Sequence, residues 1–204
     1  MTDKYSTFDE LRQSEQPDAY RIEVLDVGSR VAVVAPHGGG IEPGTSEVSR
    51  AIAQQDHSLY LFEGMKKKAN SDLHVTSTRF DEPRCLSLVK AVDFVVAVHG
   101  EGGHREVVYL GGRHFVLGER IRAELERHGF RVERHASPGL QGMDPANICN
   151  RCASGLGVQL ELSAGLRKTF FASLSSATGR SQPTKQLLIF REAVRCGLVA
   201  AGVV

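Results

Sequence analysis

An α/β fold, a three-layer α/β/α sandwich around an open mixed and mainly parallel sheet, is predicted by three observations. Short apolar runs rich in β-branched residues alternate with amphipathic stretches along the 204-residue chain, the pattern of strands joined by crossover helices. One run, 93–98 (DFVVAV), is apolar at nearly every position, as expected of a strand buried on both faces. The 21 glycines gather at loop positions, as in folds that place their chemistry at strand ends.

The elements follow in order. Residues 20–27 and 31–35 read as strands, and 45–55 as a helix with Thr45 or Ser46 as its N-cap. Residues 58–63 read as a strand and 73–77 as another. Residues 82–91 read as a helix whose start is marked by Pro83 in the first turn. After the buried strand at 93–98, residues 107–110 are short and extended, and 116–128 form a helix stopped by Gly129. Residues 130–133 are extended, 157–162 (GVQLEL) read as a buried strand, and 166–172 and 183–199 as helices. No Pro/Ser-rich linker divides the chain, so residues 1–204 are read as a single catalytic domain.

Composition excludes several classes. The net charge of +1 gives no field to hold nucleic acid or an anionic membrane. No apolar run approaches the ~20 residues that span a bilayer. Residues 1–6 (MTDKYS) lack the apolar centre of a secretory signal, so the expectation is a cytoplasmic protein or one released by lysis. Four cysteines in a chain of this length read as reduced thiols. The default oligomeric state is a monomer.

Polar residues just after apolar strands are the candidates for chemistry. The 31–35 run leads into His37 and Glu42, the 93–98 run into His99, and the 157–160 run into Glu161. A catalytic zinc site takes three protein ligands, often two His and one carboxylate, and keeps a position open. His37 and Glu42 lie five residues apart across Gly38-Gly39-Gly40, which lets the chain turn tightly; His99 comes from another strand end. Glu161 from a third then fits a separate proton-transferring base. Taken singly, a histidine after a strand is also satisfied as a hydrogen-bonded loop residue, and Glu42 as a helix N-terminal acid. Glu161 in an apolar strand needs a charged partner or a metal.

The segment Pro36-His37-Gly38-Gly39-Gly40-Ile41-Glu42-Pro43-Gly44-Thr45-Ser46-Glu47 closely resembles the signature of the poly-γ-glutamate hydrolase family known from Bacillus and its phages. So do Leu73-His74-Val75-Thr76-Ser77-Thr78, Phe80-Asp81-Glu82-Pro83, Asn147-Ile148-Cys149-Asn150-Arg151-Cys152-Ala153-Ser154-Gly155 and Gly157-Val158-Gln159-Leu160-Glu161, in matching order over about residues 20–172. The resemblance implies a compact, zinc-carboxypeptidase-like fold and endo-hydrolysis of the γ-amide bonds of poly-γ-glutamate or another γ-glutamyl substrate. It implies one Zn²⁺ on His37, Glu42 and His99, with Glu161 as general base. Such a substrate carries one α-carboxylate per residue, which calls for fixed cations. Arg151 beside Asn150 is the first candidate, because an Asn-Arg pair binds carboxylate in carboxypeptidases; His74, Arg79 and Arg113 follow. Arg79 and Arg113 read equally well as solvated surface arginines. Lys66-Lys67-Lys68 reads as a solvated loop able to attract a polyanion.

Other motifs fall short. Cys149-x-x-Cys152 has no second pair and no histidine at finger spacing, so packing thiols are expected. His37-Gly38-Gly39-Gly40 resembles an esterase oxyanion segment, but there is no G-x-S-x-G elbow. Neither a P-loop nor H-E-x-x-H is present. The alternatives to a γ-glutamyl hydrolase are an amidohydrolase acting on a small acylated amino acid and a non-catalytic binder of glutamyl polymers or anions.

Overall fold

The computed structural model describes residues 3–204; Met1 and Thr2, at the start of the 1–6 stretch read above for a signal, lie outside the described residues. Seven strands form one mixed sheet: β1 (Tyr20–Leu25), β2 (Val31–Gly39), β3 (Ser58–Gly64), β4 (Phe94–Glu101), β5 (Val108–Gly111), β6 (Val132–Glu133) and β7 (Val158–Ser163). Their spatial order is β1-β3-β2-β4-β7-β5-β6. The β2/β3, β2/β4, β4/β7 and β5/β6 pairs are parallel, and β1/β3 and β5/β7 are antiparallel. The helices are α1 (Phe8–Ser14), α2 (Thr45–Ala53), α3 (Pro83–Ala91), α4 (Phe115–Arg127), α5 (Ala164–Thr169), α6 (Ala177–Arg180) and α7 (Lys185–Ala200). None of the described helices is long and apolar enough to cross a membrane.

Strand alternation builds the two cores. Val31, Val33 and Ala35 of β2, Val96 and Val98 of β4, and Leu160 and Leu162 of β7 pack with α2, α4 and α7 on one face. Ala32, Val34, Val95 and Ala97 pack with Phe8 and Leu11 of α1 and with Cys85, Leu88 and Val89 of α3 on the other. Successive residues of a strand point to opposite faces, so a central strand must be apolar throughout, as 93–98 is. The chain leaves β2 through α2 to reach β3 on one side and returns through α3 to β4 on the other. β2 and β4 therefore flank a switch point, where open α/β sheets leave a crevice beyond the carboxyl ends of their strands.

Three local expectations are corrected. Gly44, not Thr45 or Ser46, caps α2, with φ 97. The Thr45 hydroxyl instead donates to the Glu42 carbonyl, and Ser46 Oγ accepts from the Gly39 N–H; both side chains brace the glycine turn. Residues 73–77 form no strand. Only a 3₁₀ turn, Asn70–Leu73, precedes them, and their backbone bonds sideways to His37, Asp3 and Ile148. β2 runs four residues past Ala35, through Pro36, which has no N–H to give. Its pairing with β4 ends at Val34, so that donor is not needed there. The α1 and α6 helices are not legible from periodicity, because α1 buries only Phe8 and Leu11, and α6 is four residues long.

Glu63 on β3 illustrates how the charged residues around β2 are held. It is 4% exposed, and it accepts from Arg21 Nη2 at 2.6 Å and Arg50 Nη2 at 3.1 Å. Burial pushes its pKa up, but Arg21, Arg50 and Ser46 outweigh that and hold it below the ordinary carboxylate range. A depressed carboxylate stabilises the fold above its unfolded pKa, about 4.3, and loses that contribution as pH falls through its folded value. Glu63→Gln should therefore cost about 1–2 kcal/mol at neutral pH. Arg21 and Arg50 keep access to water, which limits the loss. Urea unfolding at pH 7 and pH 3 should show the difference from wild type shrinking at the lower pH.

Candidate metal centre

Three strands deliver their polar residues to one edge of the sheet and one face. In the parallel pairing of β4 and β7, His99 lies opposite Glu161, and both share strand parity with the residues facing α1 and α3. His37 reaches that face by a different route. In uninterrupted alternation it would follow Val33 and Ala35 toward α2 and α7. The register against β3 slips between Ala35 and Gly38, where three steps on β2 match two on β3. This bulge absorbs one residue and re-aims the next. The His37 ring consequently lies near Phe80, with centroids 6.3 Å apart, and its Nε2 donates to the Val75 carbonyl at 2.8 Å.

The glycine turn then brings Glu42 back. Its backbone N–H donates to the His37 carbonyl at 2.9 Å. Gly39 sits at φ +64, where a Cβ would lie 2.6 Å from the Gly64 carbonyl oxygen, so only glycine fits. Past Val34, β4 has no ladder partner on β2, and Glu42 Oε2 takes the Gly100 N–H at 2.8 Å.

His37 Nδ1 lies 3.1 Å from His99 Nδ1 and 3.2 Å from Glu42 Oε1, and His99 Nδ1 lies 3.8 Å from Glu42 Oε2. One ligand atom from each residue falls within 4.8 Å of the others. Donors about 2.0–2.1 Å from a tetrahedral zinc ion are about 3.3 Å apart, so the set fits such an ion. The Val75 carbonyl fixes a proton on His37 Nε2, so the neutral ring would offer its lone pair to a metal at Nδ1. His99 places Nε2 3.4 Å from Ser77 Oγ and likewise turns Nδ1 inward. Outer partners of this kind are what metal-ligating histidines use.

The electrostatics separate the two carboxylates. Burial alone would raise Glu42, but His37, His99 and the Gly100 N–H hold it at about 2. Burial, reinforced by His37 and His74 against the pull of Glu42, pushes His99 down to about 3. Burial, with Glu42 and Glu101 nearby, raises Glu161 well above the ordinary range. Glu161 and the three converging residues line one cavity of about 290 Å³. Its Oε1 accepts from Gln159 Nε2 at 2.9 Å.

The residues expected to bind substrate separate into two groups. His74 lines the cavity, stacks on His37 with ring centroids 3.9 Å apart, and is held through Nδ1 by Asp3 at 2.7 Å. Arg79 lines an adjoining hollow that shares Glu42, His74 and Thr76 with the cavity, and it pairs with Asp3 at 3.1 Å. Arg113, Asn150 and Arg151 do not line the cavity. Arg113 reaches the Gly155 carbonyl. Asn150 Nδ2 donates to the Gly142 and Asp144 carbonyls, and its Oδ1 accepts from the Gly157 N–H. Arg151 donates to the carbonyls of Ala146, Phe80 and Thr78. The Asn150-Arg151 pair, expected as a carboxylate anchor, braces the 142–157 loop in this structure, and Cys149 and Cys152 are buried free thiols within it. Arg151→Met should cost about 1–3 kcal/mol of stability through its stranded carbonyls while KM stays at the wild-type value. Denaturant melts beside steady-state kinetics check this.

Sequence reasoning missed Gln159, Asp3 and Arg167. Gln159 had a signal, since it stands two before Glu161 and shares its face. Asp3 and Arg167 had none, because their partners are distant in sequence.

The model of the family described as "Poly-gamma-glutamate hydrolase" matches residues 5–193. YndL of Bacillus subtilis (strain 168) is 40% identical over 174 residues, which are 85% of this chain and 69% of that protein. The SPbeta prophage-derived YoqZ of the same organism is 39% identical over 186 residues, 91% of this chain and 67% of that protein. Among solved structures, a bacteriophage poly-gamma-glutamate hydrolase superposes with a TM-score of 0.92 at 36% identity, covering 98% of each chain. A zinc-free apo form of YndL superposes with a TM-score of 0.90 at 37% identity, covering 97% of this chain and 98% of that one.

Proposed function

This chain belongs to the poly-γ-glutamate hydrolase family and is a hydrolase, and from that premise we propose that it cleaves γ-glutamyl amide bonds within poly-γ-glutamate. One zinc ion held by His37, Glu42 and His99 and a general base, Glu161, complete the reading. The observation that carries it is the convergence of three ligand atoms within 4.8 Å, with Glu161 one strand away on the same face. Two imidazoles and a carboxylate suit zinc. When bound, the ion supplies Lewis acidity: it lowers the pKa of water and polarises a carbonyl.

The chain's own groups do the rest. Val75 and Ser77 fix the imidazoles so that their Nδ1 atoms meet. Gly100 turns the Glu42 carboxylate toward them. Gln159 holds one oxygen of Glu161, and the other takes a proton from the attacking water and returns it to the leaving amine. Burial of Glu161 suits this shuttle, because it strengthens the carboxylate as a base. Arg79, in the adjoining hollow, meets as a cation an α-carboxylate that flanks the scissile bond, and His74, in the cavity, gives its Nδ1–H to Asp3 and offers its Nε2 lone pair to a substrate N–H.

Metal analysis of the purified protein, followed by sizing of poly-γ-glutamate digests with and without chelator, tests the reading. One zinc per chain and shortening of internal fragments are expected. A protein without stoichiometric metal that ignores chelators would refute it, as would one that binds the polymer and leaves its length unchanged.

A further inference from the structure

Arg167 on α5 is 4% exposed, the only arginine among the buried polar residues described. Its Nε donates to the Leu162 carbonyl at 3.0 Å, Nη1 to the Pro43 carbonyl, and Nη2 to the Glu101 carbonyl at 2.9 Å. These carbonyls belong to three separate segments, each carrying one residue of the site. Leu162 follows Glu161, Pro43 follows Glu42, and Glu101 stands two after His99. A fourth contact joins them. Gly100 lies flat against the guanidinium, where a Cβ would meet Cζ at 2.7 Å. The same glycine gives its N–H to Glu42 Oε2.

A buried guanidinium is costly unless its charge and donors are met. Here the donors meet carbonyls, and the charge is supported by Glu42, Glu101 and Glu161. Fold stability alone offers no reason for one cation to join three strand and loop ends at the point where the ligands gather. The planar fork is what allows it, because three donors leave one rigid group in different directions; an ammonium on a flexible stem has no such geometry.

We propose that Arg167 is a positioning residue that sets the spacing of Glu42, His99 and Glu161 by pinning the backbone beside each of them. It does not touch the substrate, and it acts through the residues it pins. This rests on the zinc reading above. Substitution should therefore loosen the metal and slow the chemical step together, while binding of the polymer is spared.

The test uses the full chain as wild type, Arg167→Met, Arg167→Lys and Gly100→Ala. Zinc affinity is read by competition with a chromogenic chelator, turnover on poly-γ-glutamate, and ligand geometry by the visible spectrum of the cobalt-loaded protein. Arg167→Met should weaken zinc binding by about 10–100-fold and lower kcat by a similar factor, with KM unchanged and the cobalt bands shifted. Arg167→Lys should fall between it and wild type. Gly100→Ala, which drives a methyl into the guanidinium, should shift the same readouts in the same direction. If Arg167→Met does not fold, Arg167→Lys and Gly100→Ala decide. Wild-type zinc affinity, kcat and cobalt spectrum in these variants, with only a lower melting temperature, would overturn the proposal. A wild type that takes up no zinc would instead overturn the site reading, and this inference with it.

Discussion

Glu161→Gln should yield a folded protein that still binds zinc and has lost about 10²–10⁴-fold in kcat, the range that a positioned general base contributes. The substitution keeps size and shape. The side-chain oxygen of the new amide can still accept from Gln159, so the strand and the cavity wall stay as they are. What disappears is the ability to take a proton. Thermal stability should hold or rise, because burial and the neighbouring Glu42 and Glu101 disfavour a charged carboxylate at this position. Zinc content should remain at one per chain, since Glu161 stands outside the three converging ligands. Parallel measurement of kcat, metal content and melting temperature separates these effects. Full turnover with zinc bound would place the base elsewhere.

Removing the metal should have an effect at least as large. Chelation, or His99→Ala, should take hydrolysis below detection. With His99 gone, only His37 and Glu42 of the three remain, which is too few to hold a tetrahedral ion tightly. Stability should follow occupancy. A ligand that binds the folded state alone contributes about 2.7 kcal/mol when its free concentration is 100 times its Kd, so the melting temperature should climb as zinc is returned. The physical reason lies in the two Nδ1 atoms 3.1 Å apart. A cation between them and the Glu42 carboxylate would meet three donors at once. A calorimetric titration of the chelated protein with zinc measures this. His99→Ala protein with stoichiometric zinc and unchanged turnover would remove His99 from the ligand set.

What could be read in the sequence was what local pattern encodes. Strand 93–98 was legible because both of its faces are covered, and covered faces demand apolar residues at every step. His37, His99 and Glu161 were legible as candidates because each ends such a strand. Glu42 followed from the glycines beside it. Features set by distant partners were not legible. The slip after Ala35 exists only in the pairing with β3. The carbonyls that occupy Arg151 come partly from Thr78 and Phe80, more than seventy residues earlier. The loop-bracing contacts of the Asn150-Arg151 pair were therefore not legible, although its residue types suit a carboxylate site. Arg167 was invisible for the same reason, since its carbonyl partners on Pro43 and Glu101 lie 124 and 66 residues away. Residues 73–77 have an alternating pattern, but their edge meets the His37 ring and the N-terminal segment instead of another strand.

The slip in β2 also bears on how this site would travel to another scaffold. Counting letters from Val31 gives the wrong face for His37; counting pairs against β3 gives the right one. A copy of the segment grafted onto an ideal, unbroken strand would aim its imidazole into the helix layer, away from its two companions. The remedy is to shorten the graft. Without Pro36 the strand keeps step with its neighbour, and the ring falls on the side of His99 with no irregularity at all. The natural chain keeps the extra residue and the broken ladder that comes with it, and that break leaves the Gly100 N–H free for Glu42. A transplant would therefore have to choose between a regular strand and a ready-made anchor for its carboxylate.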